Sequence, residues 1–198
     1  MEASNISVAR QGYRRRCLRD IWLEVAVDFD RTAPVDIVTD LDALSDALER
    51  LATGGGFALR LHCEGGPCAD IRLLVEDCAL ELGSALHEAM GFLSQAAPAA
   101  RMQRVELPGA FVSVDFSRQP GATCVGLPAA GNADRLPAEM VTAFFDALGR
   151  GLGARIEVGA RGRTLRQAIE AGFAGAGQAL RAASDAGWPR RREAVSRR

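Results

Sequence analysis

Lysine is absent from this chain: its 24 basic residues are all arginine, set against 25 acidic ones. With abundant alanine and glycine, this reads as the codon bias of a GC-rich genome, a mark of ancestry rather than mechanism. The formal charge of −1 excludes a global field that would steer the chain to nucleic acid or a membrane surface. No apolar run approaches the ~20 residues of a membrane span. No hydrophobic stretch follows Arg14-Arg15-Arg16 either, so a signal peptide is not expected. Five cysteines form an odd, scattered set, which excludes a disulfide framework and points to reduced thiols in a cytoplasmic protein. Cys63 and Cys68 lack a second pair that could complete a zinc site. His62 and His87, the two histidines, are single, so a catalytic imidazole is not expected.

What is present is a repeat. Val75 to Leu86 and Ile169 to Leu180 share Glu76 with Glu170, Gly83 with Gly177, Ala85 with Ala179 and Leu86 with Leu180, in register. Upstream, Leu51, Gly54, Gly56 and Leu59 match Leu148, Gly151, Gly153 and Ile156. A period near half the chain means two copies of one supersecondary unit, because a solenoid needs three or more shorter repeats. A site is then expected where the halves meet.

Alternating or β-rich runs predict strands at Ile21 to Phe29, Val35 to Val38 and Phe57 to Cys63. Asp40 is the expected N-cap of a helix carrying Leu41, Leu44, Leu48 and Leu51, with Gly54-Gly55-Gly56 as its terminator rather than a phosphate loop. A longer helix follows Pro67, with Ile71, Val75, Cys78, Leu82 and Leu86 on one face and Asp70 as its expected N-cap. The order then repeats. Strands are expected at Phe111 to Phe116, Thr123 to Leu127 and Arg155 to Val158. One helix, Pro137 to Gly149, carries Met140, Phe144, Phe145 and Leu148; the last is striped by Leu165, Ile169, Phe173, Ala176 and Leu180. The expected fold is α+β, a tandem duplication of a β-β-α-β-α half with helices packed between two sheets. Its divisions are an N-terminal arm (1–19), two halves (20–98 and 99–185) and a basic tail (186–198).

Specific motifs carry a resemblance. Gly65 through Gly83, with Asp70, Val75-Glu76-Asp77 and Leu82-Gly83, resembles the signature G-D-x-x-x-D-x-H-H-x-V-E-D and its following L-G-x-A-L helix. Phe144-Phe145, Gly153, Gly162 and Ile169 to Phe173 resemble a second signature, F-F-x-x-L-A then G-x-N-x-H-H-x-x-E-A-x-F-K. Val114 to Pro120 is similar to V-D-L-S-G-R-P. These belong to the imidazoleglycerol-phosphate dehydratase family, and the likeness runs from about Ile21 to Ala183. It implies a ribosomal protein S5 domain 2-like fold and an oligomer. It also implies a carbon–oxygen lyase of histidine biosynthesis, with two manganese ions held by imidazoles and glutamates at subunit contacts.

The chain departs from that pattern. Where the family has its two His-His pairs, this sequence has Arg72-Leu73 and Arg166-Gln167; the family's late-strand histidine falls near Glu157. The D-H of the first helix falls on Ser45-Asp46, the glutamate of P-M-D-E on Leu107, and the lysine of F-K on Ala174. The arginine of S-G-R-P falls on Gln119, with Arg118 one place early. Glu76 and Glu170 alone survive of the metal-binding set, so the manganese cofactor is expected to be lost, leaving no metal. Two roles are open for Glu76 and Glu170: a catalytic pair facing a shared cleft, or carboxylates that favour a helix start through the dipole. Arg72 and Arg166 either pair with those glutamates or, with Arg118, bind an anionic ligand.

The expected function is that of a dehydratase-like protein serving as a binding or structural accessory subunit. It would form a homo-oligomer or a hetero-complex with another biosynthetic protein. The first alternative is a metal-free enzyme acting on an anionic, phosphorylated small molecule. The second is an atypical hydro-lyase. Nucleic acid and membrane partners are not expected.

Overall fold

The computed structural model describes residues 9–18, 20–66, 69–91, 93, 96–128, 131–133, 136–160 and 164–188. Residues 1–8, Cys68 and the basic tail from residue 189 lie outside this set. The first half comprises β1 (Gln11–Leu18), β2 (Ile21–Asp28), β3 (Val35–Thr39), α1 (Asp42–Gly55), β4 (Ala58–Gly65) and α2 (Ile71–Ala89). A four-residue helix, α3 (Pro98–Arg101), leads into the second half. That half comprises β5 (Met102–Leu107), β6 (Ala110–Asp115), β7 (Gly121–Val125), α4 (Ala138–Leu152), β10 (Arg155–Ala160) and α5 (Leu165–Gly187), with a small ribbon, β8 (Asn132–Ala133) and β9 (Leu136–Pro137), before α4.

The sheets have the same topology, β1-β2-β4-β3 and β5-β6-β10-β7. In each, the second strand runs antiparallel to the strand after the first long helix, while the third runs parallel to it. The duplication therefore holds, with one more edge strand per half than the sequence suggested. Residues 11–18, assigned to an arm, are strand β1. Its inward face carries Gly12, Arg14 and Arg16 in place of an apolar row, so no hydrophobic alternation marks it. Ion pairs of Arg14 with Glu88 and of Arg16 with Glu81 (2.7 Å) tie it to α2 instead.

Alternation sets the sheet faces. In β2, Ile21, Leu23, Val25 and Val27 are buried under the helices, while Trp22, Glu24, Ala26 and Asp28 face outward. All four helical residues chosen for α1, and all those chosen for α4 and α5, are in the core. On α2 the stripe begins one turn late: Ile71, the first helical residue, is 43 % exposed, and Leu74 is buried in its place. Asp70 does cap α2, accepting from the Arg72 N–H at 2.8 Å. Asp40 does not cap α1; Leu41 occupies the N-cap, and the Asp40 carboxylate instead accepts from the Gly65 N–H at 2.6 Å. Gly56 ends α1 in the left-handed conformation (φ 58°), as its glycine run predicted.

The helices form the layer between the sheets, and they pair across the halves: α1 packs on α5 and α2 on α4. The glycines of the sequence repeat make this approach close. A Cβ on Gly177 would stand 2.0 Å from the Leu51 carbonyl oxygen, and one on Gly54 2.7 Å from that of Ala174. At the equivalent crossing, a Cβ on Gly83 would stand 2.4 Å from the Leu148 oxygen, and one on Gly151 2.1 Å from that of Leu80. No side chain fits in these contacts, so the helix backbones touch. Around them lie Phe144, Phe145 and Phe173, with ring centroids 4.7 to 5.6 Å apart, and Phe29 against Phe57 at 4.9 Å.

Arg181 of α5 locks the end of α1 to the other half. Its guanidinium donates to the carbonyls of Gly55 (2.7 Å) and Gly56, which the helix terminus leaves open, and to that of Phe29 (2.8 Å) just after β2. Arg10 reinforces it, bonding Asp30 at 2.7 Å and Asp185 at 2.8 Å. Burial pushes the Asp30 carboxyl up, but the hydrogen bonds and charge of Arg10 outweigh it and hold the group below its ordinary value.

Two outcomes test this packing by thermal denaturation. Gly83→Ala and Gly177→Ala should each cost about 1–3 kcal/mol through overpacking, while Gly91→Ala, whose Cβ would meet nothing within 4 Å, should be neutral. Arg181→Lys should not rescue Arg181→Ala, because one ammonium cannot replace a planar fork across three carbonyls; each loses about 1–3 kcal/mol from unsatisfied acceptors.

Candidate functional site

Arg72-Leu73 and Arg166-Gln167 lie at two helix starts, α2 and α5, each facing a helix of the opposite half. At the start of α2, Arg72 Nε donates to Glu76 Oε1 at 2.8 Å, one turn apart on the same helix face. The hydrogen bond and charge of Glu76 raise the Arg72 pKa above its ordinary value. Leu73 turns inward and packs half-buried on the core. Across from this pair, Glu139, Thr142, Asp146 and Arg150 of α4 complete an open cavity of about 640 Å³. Asp146 accepts from the Ala122 N–H at 3.1 Å and pairs with Arg150 at 3.2 Å, so this wall is internally bonded.

The start of α5 repeats the arrangement with different chemistry. Arg166 Nε stands 3.8 Å from Glu170 Oε1. Gln167 closes a capping box: it donates its N–H to Thr164 Oγ1 at 3.3 Å and accepts from the Thr164 N–H at 3.2 Å. The opposite wall is α1, with Ala43, Asp46, Ala47 and Arg50, and the space enclosed is only about 70 Å³. The two helix starts thus carry an ion-paired arginine and a packed leucine on α2, and an ion-paired arginine and a capping glutamine on α5.

Within one chain, Glu76 and Glu170 line different grooves. Each second helix packs on the first helix of the other half, so each glutamate faces its own groove. Both grooves do lie where the halves meet. Arg118 is in neither: it sits on the outer face of the second sheet, 3.3 Å from Glu157, whose other oxygen accepts from Ser113 Oγ at 3.4 Å. Arg104 and Arg155 line the same small cavity of about 90 Å³.

The sequence did not single out Glu139, Asp146, Arg150 or Arg50. The matched glycines were the available signal, since they fix which helix faces which. The capping box was legible as Thr164-x-x-Gln167. His87 donates to or accepts from nothing in either groove; its Nδ1 lies 2.8 Å from the Leu152 carbonyl oxygen at the far end of α2. His62 lies on the outer face of the first sheet, 3.6 Å from Asp36. Cys63 and Cys78 are fully buried, and the Cys63 contact, with burial, pushes the Cys78 thiol up. Among the described residues no group of three or more His, Cys, Asp or Glu side chains is placed to hold a metal ion.

Known proteins match this chain in sequence and in fold. The family model of imidazoleglycerol-phosphate dehydratase matches residues 39–180. The histidine biosynthesis bifunctional protein HisB of Stenotrophomonas maltophilia (strain K279a) is 30% identical over 169 residues, 85% of this chain and 47% of that protein. The protein of the same name from Legionella pneumophila (strain Philadelphia 1) is 31% identical over 163 residues, 82% of this chain and 46% of its own length. This chain thus spans about half the length of the curated relatives it matches. Among solved structures, imidazoleglycerol-phosphate dehydratase from Staphylococcus aureus superposes with a TM-score of 0.71 at 21% identity, over 87% of this chain and 97% of that one. The Pyrococcus furiosus enzyme gives 0.70 at 26% identity, over 86% and 93%. The family model's span, the relatives' identity and the shared fold agree: this chain belongs to the imidazoleglycerol-phosphate dehydratase family.

Proposed function

We propose that this family member does not carry out the manganese-dependent dehydration and serves as a binding or structural subunit related to histidine biosynthesis. The observation that carries this reading is the occupation of the α2 start by the Arg72–Glu76 ion pair, bonded at 2.8 Å. A guanidinium bonded to a carboxylate takes up the oxygen a metal would use and brings a positive charge to the same spot. Manganese needs several nitrogen and oxygen donors around it, and two of the groove's carboxylates, Glu76 and Asp146, are already engaged by arginine. The residues present therefore do not fit that ion, and no catalytic step is derived through it. Removing a metal Lewis acid removes the means of stabilising an anionic intermediate.

A metal-free enzyme acting on a phosphorylated molecule is the competing reading, since the α2–α4 cavity has room for a ligand. Its walls carry Glu76, Glu139 and Asp146 against Arg72 and Arg150, an excess of negative charge that disfavours an anionic substrate. The subunit reading fits better. It includes assembly with further copies or with another biosynthetic protein in the cytoplasm. No helix among the described residues is long and apolar enough to cross a membrane.

Purified chain should contain substoichiometric manganese by elemental analysis after dialysis into manganese-containing buffer. It should also fail to restore growth without histidine to a strain lacking the dehydratase, while circular dichroism confirms folding. Robust growth would establish a working dehydratase and sink the proposal. Thermal stabilisation by a phosphate monoester, lost in Arg72→Ala, would favour the metal-free enzyme.

A further inference from the structure

We propose that the outer face of the first sheet carries a binding site for a small planar molecule bearing one anionic group, separate from the helix-start grooves and independent of the function argued for them. The strand register builds its shape. Ala26 in β2 lies directly between Tyr13 of β1 and Arg60 of β4, and Ala58 stands beside Asp28 in the adjoining row. Two methyl-sized side chains surrounded by long ones leave a hollow of about 390 Å³, closed at one end by Arg31 and Pro34 from the β2–β3 connection. The floor, formed by Ala26 and Ala58, is apolar, which suits a ring rather than a chain of hydroxyls.

The charges around this hollow are unequally satisfied. The Asp28 carboxylate accepts from Gln11 Nε2 and from the Asp30 N–H, each at 2.8 Å. Glu88 accepts from the Tyr13 N–H at 3.1 Å and from Arg14. Both acids are thus engaged within the protein. The two arginines differ: Arg31 reaches Asp28 only at 3.6 Å and Arg60 reaches Asp36 only at 3.6 Å, both beyond hydrogen-bond length. Two exposed guanidiniums held only by these longer ion pairs, beside an apolar floor whose acids are already bonded, are complementary to an anion attached to a flat body.

The opposite wall is held in place before any ligand arrives. A Cβ at Gly12 would stand 1.9 Å from the Ala85 carbonyl oxygen, so β1 is pressed against α2. Glu88 holds the Tyr13 backbone, and the Tyr13 hydroxyl donates to Glu24 at 3.1 Å. Tyr13 is nonetheless 49 % exposed, an aromatic surface fixed at both ends and open to contact.

The test uses the full chain and 2-naphthoate as probe, with 2-naphthamide as its neutral counterpart. Binding is followed by calorimetry and by amide NMR shifts at Ala26 and Ala58. Saturable naphthoate binding is expected, about tenfold weaker for the amide and for Arg60→Gln, and abolished in Ala26→Leu without loss of thermal stability. Any of three results would overturn the site: no naphthoate binding, equal binding of the amide, or undiminished binding to Ala26→Leu.

Discussion

Helix backbones of opposite halves meet without side chains between them. Gly83 against Leu148, Gly151 against Leu80 and Gly177 against Leu51 bring helices of opposite halves together at distances that any side chain would prevent. Packing at that range trades side-chain burial for van der Waals contact along the helix surface, and it sets the helix pairs α1–α5 and α2–α4. Everything else follows from these pairs. They bury the inner faces of both sheets, bring Arg181 within reach of the α1 terminus, and decide which walls the start of each second helix will face.

At those helix starts, ion pairing and local helix capping hold the side chains in place. Arg72 bonds Glu76, Asp70 caps the helix, and Leu73 joins the core. On α5, Gln167 and Thr164 close a capping box. Each arrangement stabilises its own helix without help from a metal or another chain. The starts of α2 and α5 are therefore complete as local structure, which is what distinguishes a folded terminus from a half-built ligand shell.

Much of this was legible in the sequence, for identifiable reasons. The period of Glu, Gly, Ala and Leu revealed the duplication, and apolar spacing located all four long helices. Strand β1 was hidden because Arg14 and Arg16 occupy its inward positions and are neutralised by glutamates far away on α2. Asp40 looked like a cap, but Gly65, distant in sequence, claims its carboxylate. The separation of Glu76 from Glu170 could not be read from either motif alone, since it depends on helix pairs formed between halves. Local patterns report what a segment does with its neighbours in the chain; these misses all turn on partners far along it.

The crossed pairing has an evolutionary corollary. Neither half keeps its two long helices for itself, so a single ancestral copy would have exposed the apolar faces of both and needed a twin to cover them. Fusion of the two copies freed them from identity. An ancestral pair of equal subunits must change both clefts whenever it changes one, whereas a fused chain can alter either alone. The grooves of this protein, about 640 Å³ on one side and about 70 Å³ on the other, differ as such freedom permits.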